Sequence, residues 1–162
     1  MKAQSVALRQ RPEGIPKSSD FEVISMDIEA PKDKEIQVQN VCMSVDPYMR
    51  GRMIDRKSYV PPFQIGEVLT GGAIGKVVDS NHPDFNIGDY VSSHYGWREA
   101  FTAPAEGIEK LGNLKASPST YLGAIGMPGM TAYVGLLEVG ALSEGETVFV
   151  SGAAGAVGSI VG

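Results

Sequence analysis

The chain has 162 residues, a formal net charge of −5 and 43% hydrophobic residues. This length suits one domain, or one domain and part of another, and the hydrophobic content is ordinary for a globular protein with a buried core. The absence of a Lys/Arg block argues against a nucleic-acid-binding surface. The single cysteine, Cys42, cannot form an internal disulfide, and no apolar run is long enough to span a membrane or to form a signal-peptide core. These features favour the cytoplasm.

Short alternating segments predict that the first two-thirds of the chain is mainly β. The predicted strands are residues 5–8, 21–24, 35–45, 71–78 and 90–93. In the third of them the apolar residues change faces after Asn40, and a one-residue slip of this kind predicts a β-bulge. The segment 81–89 is dense in turn residues. Short strands at this spacing favour a compact β-barrel or sandwich.

The pattern changes to helical spacing near residue 117. Ser117 followed by Pro118 is typical of a helix start, and Pro128 can open a second helix that ends at Gly140. The second helix carries one apolar stripe, on which we expect Tyr133 to be a core residue. The stripe consists of Met130, Tyr133, Val134 and Leu137.

The last sixteen residues predict a buried strand, a glycine-rich turn and the start of a helix. Residues 147–150 are the predicted strand, and Gly152, Gly155 and Gly158 punctuate the turn. Glycines allow close approach of a pyrophosphate, and the N-terminus of the following helix favours its negative charge. Small residues also occur where a strand and a helix simply pack tightly, so both interpretations stay open. The residue that would distinguish NAD from NADP is expected about 20 positions further on, beyond Gly162.

Three motifs carry a resemblance that covers the whole chain. They are Ser-Val-Asp-Pro-Tyr-Met-Arg-Gly at 44–51, Gly-Met-Pro-Gly-Met-Thr-Ala-Tyr at 126–133, and Val-Ser-Gly-Ala-Ala-Gly-Ala-Val-Gly-Ser at 150–159. With these motifs the sequence resembles the zinc-independent branch of the medium-chain dehydrogenase/reductase superfamily. Within that branch it is most similar to leukotriene B4 12-hydroxydehydrogenase, prostaglandin reductases, and alkenal and curcumin reductases.

The resemblance implies a mainly β, GroES-like, partly open barrel, followed by the truncated start of a Rossmann α/β domain, namely helices and the first βα unit. The expected division is a substrate domain at 1–120 and the beginning of an NADP-binding domain at 121–162. It implies NADPH-dependent reduction of the C=C bond of α,β-unsaturated ketones and aldehydes by hydride transfer to the β-carbon. We expect the truncated chain to be inactive alone. A quinone oxidoreductase of the same superfamily, and a folded interaction module without turnover, are the alternatives.

The resemblance also assigns candidate site residues. Tyr48 is the candidate catalytic residue, where a phenol beside substrate and nicotinamide can donate a hydrogen bond. Asp46 is expected to cap the turn or helix that starts at Pro47. Arg50 and Arg52 are expected to be solvated or to pair with an acid across the cleft. The candidate cofactor-binding residues are Tyr48, Met127, Pro128, Thr131, Ala154, Gly155, Ala156, Val157 and Gly158.

No metal is expected, because one Cys and two His cannot supply a zinc site and Gly66-Glu67 lacks the histidine of the zinc branch. Cys42 is therefore expected to be a small buried residue, His82 to face solvent, and His94 to have at most a minor role in a substrate wall. An enone pocket or simple core packing could use a group of apolar and aromatic residues, namely Met53, Tyr59, Phe63, Tyr95 and Trp97. The terminal strand lacks neighbours, so we expect it to be poorly ordered or to form a homodimer or swapped assembly.

Overall fold

The computed structural model describes residues 1–162, which form two compact units, Met1–Leu114 and Lys115–Gly162. The first unit therefore ends somewhat earlier than the boundary at 120 that the sequence predicts. None of the helices has both the length and the apolar character that crossing a membrane requires.

The first unit contains seven strands and one short helix. The strands are β1 (Lys2–Leu8), β2 (Phe21–Asp27), β3 (Glu35–Met43), β4 (Ala73–Ser80), β5 (Tyr90–Ser93), β6 (Ala100–Pro104) and β7 (Glu109–Gly112), and helix α1 (Tyr48–Arg52) lies between β3 and β4. The five predicted strands are confirmed. Strands β6 and β7 were not predicted, because β6 is short and β7 has no alternating apolar pattern.

The strands form a five-stranded antiparallel sheet in the order β6-β3-β4-β5-β7 and a two-stranded ribbon of β1 and β2. The β3–β4 register shifts between Asn40 and Cys42, which confirms the predicted bulge. Isolated bridges from Ser5 to Arg98 and from Ala7 to Val68 connect the ribbon to the segments beside the sheet. The result is the GroES-like, partly open barrel that the motifs imply.

Two apolar clusters fill this barrel. One lies against the large sheet and is built from the inward residues of its strands, such as Ile36, Val38 and Val91. The other lies beneath α1 and the end of β1 and consists of Leu8, Met49, Met53, Phe63 and Leu69. The second cluster positions the candidate site because Met49 of α1 packs into it.

The second unit is mainly helical. A 3-10 turn covers Pro118–Leu122, helix α2 covers Met127–Tyr133 and continues in wider π-helical turns over Val134–Val139, and helix α3 covers Gly158–Val161. The helix starts at Pro118 and Pro128 and the end at Gly140 are confirmed.

Two expectations for this unit are wrong. Residues 147–150 form no strand, because a strand needs a hydrogen-bonded partner and this unit contains none; Phe149 is 90% exposed. Tyr133 is 57% exposed rather than part of the core. The apolar stripe of α2 has little to pack against within the unit. The predicted helical spacing of the stripe is therefore correct, but the predicted burial of Tyr133 is wrong.

Candidate active site around Tyr48 and the glycine-rich turn

Helix α1 holds Tyr48 although five residues are too few to form a stable helix alone. Tertiary contacts therefore fix it. Met49 is 2% exposed and packs into the cluster with Leu8 and Phe63. A Cβ at position 71 would collide with the Met49 methyl group, so Gly71 allows α1 to approach the barrel closely.

Arg50 ties the same helix to the loop between β1 and β2. Its Nε and Nη2 donate to the Gly14 carbonyl at 3.1 and 2.7 Å, and Nη2 also donates to the Pro12 carbonyl at 3.3 Å. These bonds cross more than thirty residues of sequence. Arg50 is therefore not simply solvated, since its partners are backbone carbonyls, and its pairing with an acid across the cleft stays a prediction.

Of the two predicted roles of Asp46, the side chain does not cap helix α1, and the residue instead closes the turn before it. The structure places Pro47 at the N-cap position, with no side-chain hydrogen bond to the helix. The Asp46 carboxylate instead accepts a hydrogen bond from the Ser44 hydroxyl at 2.7 Å, while the Asp46 carbonyl accepts the Met49 N–H at 3.0 Å. Asp46 thus stiffens the turn into the helix.

A cavity of about 430 Å³ opens beside α1. Tyr48 lies in its wall and is 41% exposed, so its phenol is accessible. The opposite part of the wall is the loop from Ile54 to Pro62. The lining residues are Pro47, Tyr48, Arg50, Gly51, Arg52, Ile54, Arg56, Ser58, Tyr59, Val60 and Pro62. The wall combines apolar surface with hydroxyl and guanidinium donors and contains no carboxylate, which is a suitable composition for binding an uncharged ligand with an electron-rich oxygen.

Arg52 is held rigidly in this wall. Its Nε donates to the Pro61 carbonyl at 3.0 Å, and its Nη1 donates to the Thr70 hydroxyl at 3.2 Å. The guanidinium lies over the Phe63 ring, 4.0 Å from its centroid, in a cation–π contact. No ion pair of Arg52 is present in the structure, and its pairing with an acid across the cleft stays a prediction. Pro61 and Thr70 were not predicted to matter, because nothing in the sequence pattern links them to Arg52.

The surroundings of Tyr48 keep its phenol protonated. Burial raises the pKa of Tyr48 above the ordinary value of 10.0, and the negative charge of Asp46 raises it further. The nearby Arg52 guanidinium lowers the Tyr48 pKa and so partly opposes both effects. At neutral pH Tyr48 is therefore a hydrogen-bond donor rather than a phenolate.

The remaining candidate site residues lie in the second unit. Met127 and Pro128 open α2, where Met127 is exposed, and the Thr131 hydroxyl donates to the Met127 carbonyl at 2.8 Å. Helices α2 and α3 contact each other, which brings these residues and the glycine-rich turn into the same unit. Tyr48 belongs to the other unit.

The glycine-rich turn is exposed and tightly closed. Ala154, Gly155, Ala156 and Val157 are exposed. The Gly155 N–H donates to the Gly152 carbonyl at 2.8 Å, which closes the turn. A Cβ on Gly158 would collide with that same carbonyl, so the turn permits only glycine where α3 begins. The exposed backbone of this turn fits a diphosphate, and in a nicotinamide nucleotide bound there the nicotinamide would supply hydride chemistry.

The other candidates are placed less favourably. Cys42 is half-buried rather than buried, since β3 turns its last residues outward after the bulge. His82 does not face solvent freely, because its ring packs edge-on against Phe85 at 5.3 Å between ring centroids. His94 is exposed.

Of the five residues proposed for an enone pocket, only Tyr59 lines the cavity. Met53 and Phe63 are buried in the cluster beneath α1, and Trp97 packs against that cluster. Tyr95 stacks on Phe101 at 4.4 Å between centroids. The alternative of core packing is therefore correct for most of the group.

Comparison with known proteins identifies the family of the first unit. Residues 4–111 match the family model described as the N-terminal domain of oxidoreductase. The chain belongs to this family.

Similar proteins come from several kingdoms. The chain is 44% identical over 155 residues to the NADPH-dependent curcumin reductase of Escherichia coli. The matched region includes 96% of this chain and 45% of that relative. The chain is 42% identical to the NADP-dependent 2-alkenal reductase of Nicotiana tabacum, covering 98% and 48%, and 39% identical to prostaglandin reductase 1 of Bos taurus, covering 99% and 47%. The resemblance that the three motifs indicate is confirmed.

A solved structure agrees with these relatives. The crystal structure of CurA from Vibrio vulnificus in complex with NADPH superposes with a TM-score of 0.89 at 45% identity, covering 98% of this chain and 47% of that one. The chain thus spans about half the length of the relatives that it matches.

Proposed function

We propose that the whole protein is a zinc-independent, NADPH-dependent reductase of the C=C bond of α,β-unsaturated ketones and aldehydes. Hydride is transferred from NADPH to the β-carbon of the substrate, and the enolate that results is protonated at the α-carbon. The protein must orient the conjugated carbonyl and stabilise the negative charge that develops on its oxygen.

The observation that carries this proposal is the position of Tyr48. The phenol is protonated at neutral pH, accessible, and part of a cavity wall without a carboxylate. A neutral donor in such a wall suits an oxygen that becomes negatively charged, whereas a carboxylate there would repel it. The apolar part of the wall suits the carbon skeleton of an enone.

The two units would have different roles. In the proposal the first unit is the substrate domain, and the second is the beginning of the NADP-binding domain. Met127, Pro128 and Thr131 would contact the nicotinamide end, and residues 154–158 the diphosphate. The exposed turn that closes on Gly158 supports the second assignment. The preference for NADPH is supported by the names of the relatives.

We also propose that the 162-residue chain has no turnover by itself. The segment 147–150, which directly precedes the glycine-rich turn, has no strand partner, so no sheet holds the turn in position. Catalysis by hydride transfer needs the reacting carbons held in near-attack geometry, and a loosely held diphosphate site cannot provide this.

The test uses the complete reading frame that contains this sequence. The purified enzyme is expected to oxidise NADPH with loss of the enone absorbance for a panel of enones and enals, and to be slower with NADH and with quinones. Tyr48→Phe is expected to lower kcat by about 10²-fold. Preferential reduction of quinones, or an unaffected Tyr48→Phe variant, would refute the assignment. Enone reduction by the 162-residue chain alone would refute the proposed lack of turnover.

A further inference from the structure

Arg52 and Tyr48 occupy the two ends of helix α1 on the same face. Four residues separate them, which is the spacing at which side chains on a helix are neighbours. Both line the 430 Å³ cavity. A guanidinium and a phenol therefore lie in one wall of the candidate substrate site.

The Arg52 guanidinium is held in place before any ligand arrives. Pro61 and Thr70 occupy its Nε and Nη1, and the Phe63 ring covers one face of its plane. These contacts leave Nη2 without a protein acceptor. Because the planar guanidinium is fixed at two nitrogens, the direction of the remaining N–H groups is fixed as well.

No acidic side chain in the cavity wall neutralises this charge. Asp55, the acid in the adjoining loop, lies 3.7 Å from Arg11 instead. Asp46 is the acid whose charge reaches Tyr48, and its carboxylate is bonded to Ser44. Arg52 thus remains available as a cationic donor beside the phenol.

We propose that Arg52 is the positioning residue for Tyr48, holding the phenol oxygen so that the phenol O–H donates to a substrate oxygen that becomes an enolate. This inference rests on the proposed enone reduction and assigns Arg52 a role within that site. A donor to the phenol oxygen strengthens the phenol as a donor in turn, since chained hydrogen bonds polarise one another. The site would then favour conjugated ketones and aldehydes over substrates in which no oxygen gains charge.

The kinetic test is a double-mutant cycle in the complete enzyme. Arg52→Gln is expected to lower kcat about tenfold with little change in KM, and Arg52→Lys to recover part of the loss. In the Tyr48→Phe background, Arg52→Gln is expected to cost nothing further, because the two residues act as one unit. Lys57→Gln is the matched control: it removes the same charge from an exposed residue of the neighbouring loop that does not line the cavity. Additive losses in the double variant, or an equal loss in Lys57→Gln, would overturn the proposal.

A second measurement does not depend on turnover. In the 162-residue chain labelled at the tyrosine ring carbons, the NMR titration of Tyr48 is expected to move to higher pH in Arg52→Gln and to stay unchanged in Lys57→Gln. An unchanged Tyr48 titration in a folded Arg52→Gln variant would overturn the proposed action of Arg52 on Tyr48. Trp97 fluorescence reports whether that variant is folded. If the wild-type enzyme reduces no enone, the proposed function fails, and this titration still decides whether Arg52 acts on Tyr48.

Discussion

Replacement of Met49 by alanine tests whether the packing of Met49 into the apolar cluster holds α1 in place. Met49 is 2% exposed and belongs to the cluster of Leu8, Met53, Phe63 and Leu69. Deletion of its side chain removes the transfer free energy of a fully buried methionine and leaves a cavity. Substitutions of this kind cost 2–5 kcal/mol, and we expect about 3 kcal/mol here, because β1 on one side cannot move to fill the space.

The assay is equilibrium unfolding in urea followed by tryptophan fluorescence. Trp97 is the single tryptophan, and it packs against this cluster, so the signal reports on the first unit. A loss of 3 kcal/mol corresponds to a decrease in Tm of roughly 10 °C for a domain of this size.

Met26→Ala is the matched control for this prediction. Met26 lies on β2 and is 39% exposed, so its loss is expected to change the free energy of unfolding by no more than about 0.5 kcal/mol. If Met49→Ala and Met26→Ala were equally stable, Met49 would not anchor α1, and the argument for a fixed Tyr48 would fail.

Two further predictions concern the large sheet. Gly75→Ala is expected to destabilise the first unit by about 2 kcal/mol or more, because its Cβ would lie 2.9 Å from the Gln39 carbonyl oxygen. Gly51→Ala in the same unit is the control: its Cβ would lie at an ordinary 3.5 Å from the Arg56 side chain, so its free energy of unfolding is expected to change little in the same urea titration. The pKa of Asp89 lies below its ordinary value of 3.8 because Lys110 donates to the carboxylate at 2.6 Å. The ionised Asp89 therefore stabilises the folded state. This stabilisation is complete above the pKa that Asp89 has in the unfolded chain, and it is lost as the pH falls through the lower pKa of the folded state. Urea titrations across the acid range are expected to show a smaller loss of stability in Asp89→Asn, and an identical acid profile would contradict this reasoning.

The fold of the first unit could be predicted in part from alternation. Alternation was clear in parts of β1 and β3, and the change of phase after Asn40 located the bulge in β3. In β4 and β6 consecutive residues are buried, so alternation gave no guide there. Strand β7 escaped prediction because its four residues, Glu109–Gly112, are half or fully exposed and pair only with β5. Its position depends on a partner far along the chain, which local pattern cannot supply.

The errors in the second unit also arise because local pattern does not show which segments have neighbours. The apolar run at 147–150 has strand character, but a strand is a property of two segments, and the unit offers no second one. The stripe that includes Tyr133 has helical period but little to cover it. Pattern therefore predicted the conformation that these segments favour, and the presence of neighbours decided what they form.

The motif around Tyr48 illustrates why a functional motif is longer than its functional residues. Met49 points into the core, Arg50 bonds to the β1–β2 loop, and Asp46 braces the preceding turn. Within the motif Tyr48 is the residue that lines the cavity with an accessible hydroxyl donor, and Arg52 directly after the motif lines the same cavity. A helix of five residues has no stability of its own, so most of the motif must hold it in place. Substitutions at Met49 or Arg50 should therefore impair the site through the position of Tyr48, and only those at Tyr48 itself should remove the donor.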